Sequence, residues 1–432
     1  MKGKIAAVAL VAASALTLAG CGGNPGGQTS GGSTDSSAPA ASAALRVWLV
    51  GTDTPQEARD YLKTTFEKEN AGSTLTIEEQ SWTGLVDKYM TALSGSNSPD
   101  VVEIGNTQVP AFTAAGAFLD LTDKYEELGG DDMLKGFVDA GSDKGKFYAA
   151  PYYSGARVVT YSTDIVSGDV PTTWDAYLTA AKAAKTDTVS GMYLTGKDWR
   201  DMMTFVWVNG AEIATQDSSG KWTAGFNTPE GIKGLQQAAD TYNAASLFPK
   251  DAVEGDQQIP FCEGKIAYLP APSWVAGMIS APEDAKTPGC ASTFGAKEKL
   301  HQFAAPGLTA GTYAPVLAGG SNIAVPAKAK NTDLAYKAMQ IMLSDGYQKI
   351  LAEAGMVPAL TSQAQFMADN ENSKAAQAAA SAAISTPAAE KWADVEASQI
   401  LEDSFSKLVS GTADAATIAK ELDDKINATL NG

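Results

Sequence analysis

The run PDVVEIGNTQVPAFTAAGAFLDLT, Pro99 to Thr122, decides how the rest of the chain is read. Asp100 to Ile104 is short, rich in β-branched residues and followed by Gly105, which predicts a strand stopping at a sharp turn. Asn106, Thr107 and Gln108, just beyond it, are neutral donors and acceptors. In an open α/β sheet, ligands bind outside the carboxyl ends of the strands, so this trio is placed to hydrogen-bond a neutral, hydroxyl-rich ligand. Pro110 permits a helix start, and Ala111 to Phe118 supplies alanines and two aromatics to continue it.

Working back from this run, Leu45 to Val50 predicts a first strand ending at Gly51. Pro55 to Asn70 then places Ala58, Tyr61, Leu62 and Phe66 on one helical face. Leu75 to Glu79 is a second strand, followed by Trp82 and a helix from Leu85 to Leu93. This alternation predicts a parallel sheet with right-handed crossovers. About 390 residues follow a low-complexity leader, too many for one core, so two domains are expected.

Further along come Tyr148 to Tyr153 (YAAPYY), Pro171 to Trp174 (PTTW), Phe226 to Gly231 (FNTPEG), Gly264 to Ala267 (GKIA) and Gly319 to Pro326 (GGSNIAVP). With the PDV and GN of the opening run, they resemble, in order and over nearly the whole mature chain, the extracellular solute-binding proteins of carbohydrate ABC transporters. The resemblance implies a two-lobe α/β fold of the periplasmic-binding-protein type II class, like maltodextrin-binding proteins, with a hinge and an interlobe cleft. It places lobe 1 at residues 45–153 and 322–366, and lobe 2 at 154–321 and 367–432. It implies a protein without catalytic activity whose partners are a carbohydrate and the membrane permease subunits of an importer.

Lys2 and Lys4 precede an apolar run from Ile5 to Leu18, which marks residues 1–20 as a signal peptide. Leu18-Ala19-Gly20-Cys21 resembles a bacterial lipobox, implying cleavage before Cys21, diacylglycerol on its sulfur, and residence on the outer face of the cell membrane. An ordinary signal peptide with an incidental cysteine, or a short membrane anchor, stays open, although the run is shorter than the roughly 20 residues of a span. Residues 21–44 are rich in Gly, Ser, Thr, Pro and Ala, too poor in apolar surface to order themselves, and predict a flexible tether. The charge of -18, with no Lys/Arg cluster, argues against nucleic acid and anionic ligands. Cys262 and Cys290 are the remaining cysteines, and outside the cell a disulfide is expected between them; two buried, unpaired thiols are the alternative.

The chemistry inventory excludes much. His301 is the single histidine and no GxSxG elbow exists, which removes a histidine-based hydrolase and a histidine-rich metal site. No phosphate-binding P-loop and no EF-hand spacing occurs; the pairs Asp131-Asp132 and Asp423-Asp424 read as solvated faces, and no cofactor or metal is expected. Glycoside hydrolysis needs only two carboxylates, and Glu103 is the nearest candidate for one, so a secreted glycosidase stays open, as does an adhesion or sensory lipoprotein.

What remains is stacking on sugar faces and hydrogen bonding to hydroxyl rims. Gly51, Trp82, Asn106, Thr107 and Gln108 are the first-lobe candidates, with Tyr152 and Tyr153 at the mouth of the cleft. Trp199, Arg200, Asp201, Trp207, Asn209 and Trp274 are the second-lobe candidates, Trp199 leaning to the cleft and Trp207 divided between core and ligand. Gly320 and Ser321 mark the returning hinge. So many aromatics favour an oligosaccharide, and a monomer is expected. Phe261 to Leu269 is read as a strand, and Ala375 to Ala383 as a surface helix.

Overall fold

The computed structural model describes residues 43–432, apart from Thr83 and Lys286. The signal peptide, Cys21 and nearly all of the tether lie outside the described residues. Three parallel-paired strands open the chain: β1 (Ala44–Val50) between β2 (Thr74–Gln80) and β3 (Val101–Gly105). Helices α1 (Gln56–Glu69) and α2 (Leu85–Ser94) link them. All five residues of β3 are buried, because strands flank it on both sides.

Beyond β3 the sheet departs from the expected all-parallel arrangement. The strand Val316–Ala324 pairs antiparallel with β3 and with the strand Ala149–Ser162. The first three strands obey the local alternation, whereas Val316–Ala324 reaches β3 from far along the chain. The Ala149–Ser162 strand runs on to pair antiparallel with Ile266–Pro272 and Leu300–Phe303. It and Val316–Ala324 therefore pass from one hydrophobic core to another. The first core gathers Val47, Leu62, Phe66, Tyr152, Met339 and Tyr347. The second gathers Trp174, Trp199, Phe205, Leu235, Trp392 and Phe405. We call the bodies around them the first and second lobes.

Glycines make the passage possible. A Cβ on Gly155 would lie 2.4 Å from the Trp274 ring, and one on Gly320, at φ +139°, would lie 2.4 Å from the Tyr153 carbonyl oxygen. Chain flow slips by a bulge between Ser321 and Asn322, next to that crowded point.

Several local expectations change. The helix after β3 covers only Val109–Ala114, since Gly116 takes φ +68° and Phe118 instead bridges Pro326. Phe261 and Cys262 end a one-turn helix, Gln258–Cys262, and the strand begins only at Ile266, past the left-handed Gly264. The alanine-rich helix Glu371–Ser381 buries Ala375, Ala376 and Ala379 on one face, so it is a packed rather than a free surface helix. Asp132 and Asp423 are not simply solvated: Asp132 accepts from Thr361 and Ser362, and Asp423 caps the amides of Phe226 and Asn227. Thr228 caps the Pro229–Ala245 helix through Gly231 N, as the Thr-Pro pair predicts. Among the described residues no helix is long and apolar enough to cross a membrane.

Candidate functional site

A cavity of about 780 Å³ lies between the lobes, floored by the crossing strands. Its first-lobe wall is built at strand ends. Gly51, at φ +61°, turns the chain out of β1, and its amide donates to Gln80 O at 2.8 Å. Trp82 follows β2 and stands 40% exposed, its indole Nε1 donating to Asp53 Oδ2 at 3.0 Å. Past β3, Asn106 donates from Nδ2 to Ala318 O at 3.1 Å, and Thr107 and Gln108 continue the wall. The second lobe contributes Arg200, Glu254 and Trp274. Trp274 is half-buried, set edge-on to Tyr153 at 5.6 Å between ring centroids.

Two carboxylates from opposite lobes face this space. Burial pushes the Asp53 carboxyl above the ordinary range, opposed by hydrogen bonds from the Trp82 and Trp274 indoles. Burial acts on Glu254 in the same sense, but the charges of Arg157 and Arg200 and the hydrogen bonds from Arg157 and Gln257 overrule it and hold the carboxyl below its usual value. Arg157 bonds both Asp201 and Glu254 from its place on the Ala149–Ser162 strand, while Gln257 Nε2 donates to Glu254 at 2.7 Å. Asp198, Asp201 and Glu254 bring carboxylate oxygens within 4.8 Å of one another. The Arg157 guanidinium already supplies the positive charge at this point. Asp198 is pushed well above the carboxylate range by burial and by the neighbouring charge of Asp201. Its Oδ1 meanwhile caps the Trp199–Val208 helix through Asp201 N at 3.1 Å.

Of the sequence-predicted residues, Gly51, Trp82, Asn106, Thr107, Gln108, Tyr153, Arg200, Trp274, Gly320 and Ser321 line the cavity. The structure does not bring the others to it. Tyr152 is fully buried, its hydroxyl shared with Thr54 and Tyr347 inside the first core. Trp199 is 1% exposed and packs edge-on to Trp392, and Trp207 lies in the same core. Asn209 is spent on Phe205 O and Gln237. Asp201 is committed to Arg157, one shell behind the wall. On a helix whose every face but one position is buried, large aromatics fill volume between neighbours. Glu103 is wholly buried beneath the floor, accepting from Val50 N at 2.8 Å and the Tyr153 hydroxyl at 2.9 Å, which leaves it no route to a glycosidic bond. Asp53 and Glu254 were not signalled by any motif; only Asp53's place three residues past the first strand pointed to the strand-end crevice.

The family model described as bacterial extracellular solute-binding protein matches residues 62–383 of this chain. The chain belongs to that family. Its members are binding proteins, and this solute-binding protein is not an enzyme. A diacetylchitobiose binding protein of Streptomyces coelicolor is 30% identical over 439 residues, covering 100% of this chain and 99% of its own. A maltooligosaccharide ABC transporter solute-binding lipoprotein of Streptococcus pneumoniae is 26% identical over 318 residues, 71% of this chain and 70% of its own. Among solved structures, the GacH receptor of Streptomyces glaucescens, described unliganded and with acarbose, superposes with a TM-score of 0.77 at 20% identity, covering 91% of this chain and 99% of its own. That likeness shows the two-lobe, maltodextrin-binding-protein-like fold.

Proposed function

We propose that the solute-binding protein takes up a neutral oligosaccharide between its lobes outside the cell and delivers it, by hinge closure, to the permease subunits of an ABC importer. The observation that carries this is the convergence of Trp82 and Trp274, from opposite lobes, on Asp53 across a cavity whose wall also presents the amides and hydroxyls of Asn106, Thr107, Gln108 and Ser321. Indoles cover the apolar faces of a pyranose while Asn106, Gln108, Asp53 and Glu254 accept from or donate to its rim. The relatives that bind diacetylchitobiose and maltooligosaccharides support the same class. Contacts to both lobes favour the closed state, because a ligand shifts a hinge only by binding one state better than the other.

In this reading lobe 1 takes residues 45–153 and 322–366, and lobe 2 takes 154–321 and 367–432. The protein is a monomer held at the membrane by lipid on Cys21. Changing Cys21 to Ala should release it into the medium; continued membrane retention would end the lipid-anchor reading. The central test is a thermal-shift screen against neutral oligosaccharides, in which a ligand of the folded state raises the midpoint by mass action. A shift with one oligosaccharide series carries the reading, and no shift with any sugar overturns it.

A further inference from the structure

Four carboxylates line the large cavity, and three of them are engaged by the protein. Asp53 receives the Trp82 and Trp274 indoles, Glu79 pairs with Arg59, and Glu254 is held by Arg157 and Gln257. The fourth, Asp256, is exposed, and among the described residues its carboxylate has neither a hydrogen bond nor an ion pair. Its backbone stands at φ +47°, in the left-handed region that only Lys144 and Gln399 share with it among the described residues other than glycine. Such a conformation persists where the surrounding structure holds it, and here the Asp256 carbonyl ties the turn down by accepting from Ile259 N at 3.0 Å. Two places on, Gln258 is 3% exposed and borders the same cavity, yet its side-chain amide makes no hydrogen bond. A polar side chain that deeply buried ordinarily has a partner.

We propose that Asp256 and Gln258 seat the ammonium group of an amino sugar, so that the cleft holds an oligosaccharide with a free amine more tightly than the same chain carrying hydroxyls or acetamides. The inference rests on the carbohydrate reading above and goes past its neutral ligand. An ammonium brings three donors and no acceptor, which suits a carboxylate and an amide oxygen that lack donors. Gln258 can turn its oxygen to the ligand because neither end of its amide is committed. The wider field has the same sign: Asp53, Glu79, Asp201, Glu254 and Asp256 outnumber Arg59, Arg157 and Arg200, and the Arg200 guanidinium lies over the Trp199 ring at 5.0 Å. A hydroxyl brings one uncharged donor and an acetamide one N–H beside an acceptor, so each pairs the Asp256 carboxylate more weakly than a charged donor does.

The test is titration calorimetry of the full chain at pH 6, where sugar amines are protonated, with three tetrasaccharides of one β-1,4-linked backbone: cellotetraose, the glucosamine tetramer and its fully N-acetylated form. The glucosamine tetramer should bind about tenfold or more tighter than either neutral counterpart. Asp256→Asn keeps the side chain's size and tolerates the left-handed backbone, and it should bring the ratio of glucosamine tetramer to cellotetraose within about threefold. Gln258→Met removes the amide at similar length and should lower the same ratio about threefold. Each ratio compares two ligands on one variant, so general damage to the fold cancels from it. A glucosamine tetramer no tighter than its neutral counterparts, or silence with all three, overturns the amine seat. So does a ratio that Asp256→Asn leaves unchanged, because the overall negative charge would then account for it. The thermal-shift screen with neutral sugars judges the carbohydrate reading separately, and loss of the seat leaves that reading standing.

Discussion

Glu103 is the residue on which the floor of the cleft depends. Its carboxylate accepts from Val50 N on β1 and from the Tyr153 hydroxyl on the long crossing strand, and its own carbonyl accepts from the Tyr89 hydroxyl at 2.8 Å. Burial pushes its pKa up to about 7, with the charge of Asp53 adding to the shift and the hydrogen bonds from Val50, Ser321 and Tyr153 opposing it. The unfolded chain releases this proton near pH 4.3 to 4.5, so between there and about pH 7 the native state binds more protons than the unfolded one, and stability falls as pH rises through that window. The loss amounts to about 3 kcal/mol at full ionisation. Urea unfolding at pH 5 and pH 8 should therefore show a smaller drop for Glu103→Gln than for wild type; equal drops would mean that Glu103 ionises like an exposed carboxylate. Trp274 is the other residue of consequence. Trp274→Ala should weaken oligosaccharide binding by about tenfold or more, while stability, read separately by urea, falls by roughly 1–2 kcal/mol from lost packing on Tyr153 and Gly155. Unchanged affinity would remove Trp274 from the site.

At the scale of elements, the second-lobe wall hangs on two devices. One is the segment from Cys262 to Cys290, which the disulfide closes over a sequence separation of 28 and which carries Trp274. Reducing it should lower stability by about 3 kcal/mol and weaken ligand binding, because the loop that aims the indole loses its constraint. Intact mass before and after reductant must differ by two hydrogens; two free thiols in native protein would remove the bond from the account. The other device is Arg157, which holds Glu254 toward the cleft and Asp201 behind it. Arg157→Met leaves the buried Asp201 and the largely buried Glu254 without their guanidinium partner and should cost about 3–5 kcal/mol. Adding Asp201→Asn and Glu254→Gln should recover much of that in chemical denaturation; no recovery would mean that Arg157 acts by its bulk alone. These elements also show what was legible beforehand. α1, α2, the Trp174–Ala184 helix and the capped Pro229–Ala245 helix follow from periodicity and Thr-Pro chemistry, which are local. Phe261 and Cys262 read as the start of the Phe261 to Leu269 strand, because two apolar residues closing a single helical turn present the same local pattern as the first residues of a strand. The antiparallel pairing of β3 with Val316–Ala324 lies more than 200 residues downstream, beyond any local signal. Trp82 and Trp274 line the cavity while Trp199 and Trp207 do not, since residue type does not say which way an indole turns.

At the scale of the molecule, sign of charge is the selective field. The chain carries a formal charge of -18. Within the cavity Asp53, Glu79, Glu254 and Asp256 stand against Arg157 and Arg200, and Arg157 is already spent on Asp201 and Glu254, as Arg59 is engaged with Glu79. A ligand that brings hydroxyl donors satisfies these acceptors, whereas one that brings a negative charge meets like charge in a partly desolvated gap. Oxidising the reducing end of a bound oligosaccharide to its aldonate keeps most of the chain and adds one carboxylate. The aldonate should bind about tenfold more weakly than the parent sugar at 10 mM salt. At 500 mM salt the part of this gap that comes from exposed and distant charges should close, since the screening length shrinks from about 30 Å to under 8 Å; the part set by Asp53 and Glu254 should persist. Calorimetry of the pair at both salt concentrations separates the two contributions. Equal affinities at low salt would show that the charged end lies outside the lobes, whereas a gap that Asp53→Asn relaxes would place that end beside Asp53.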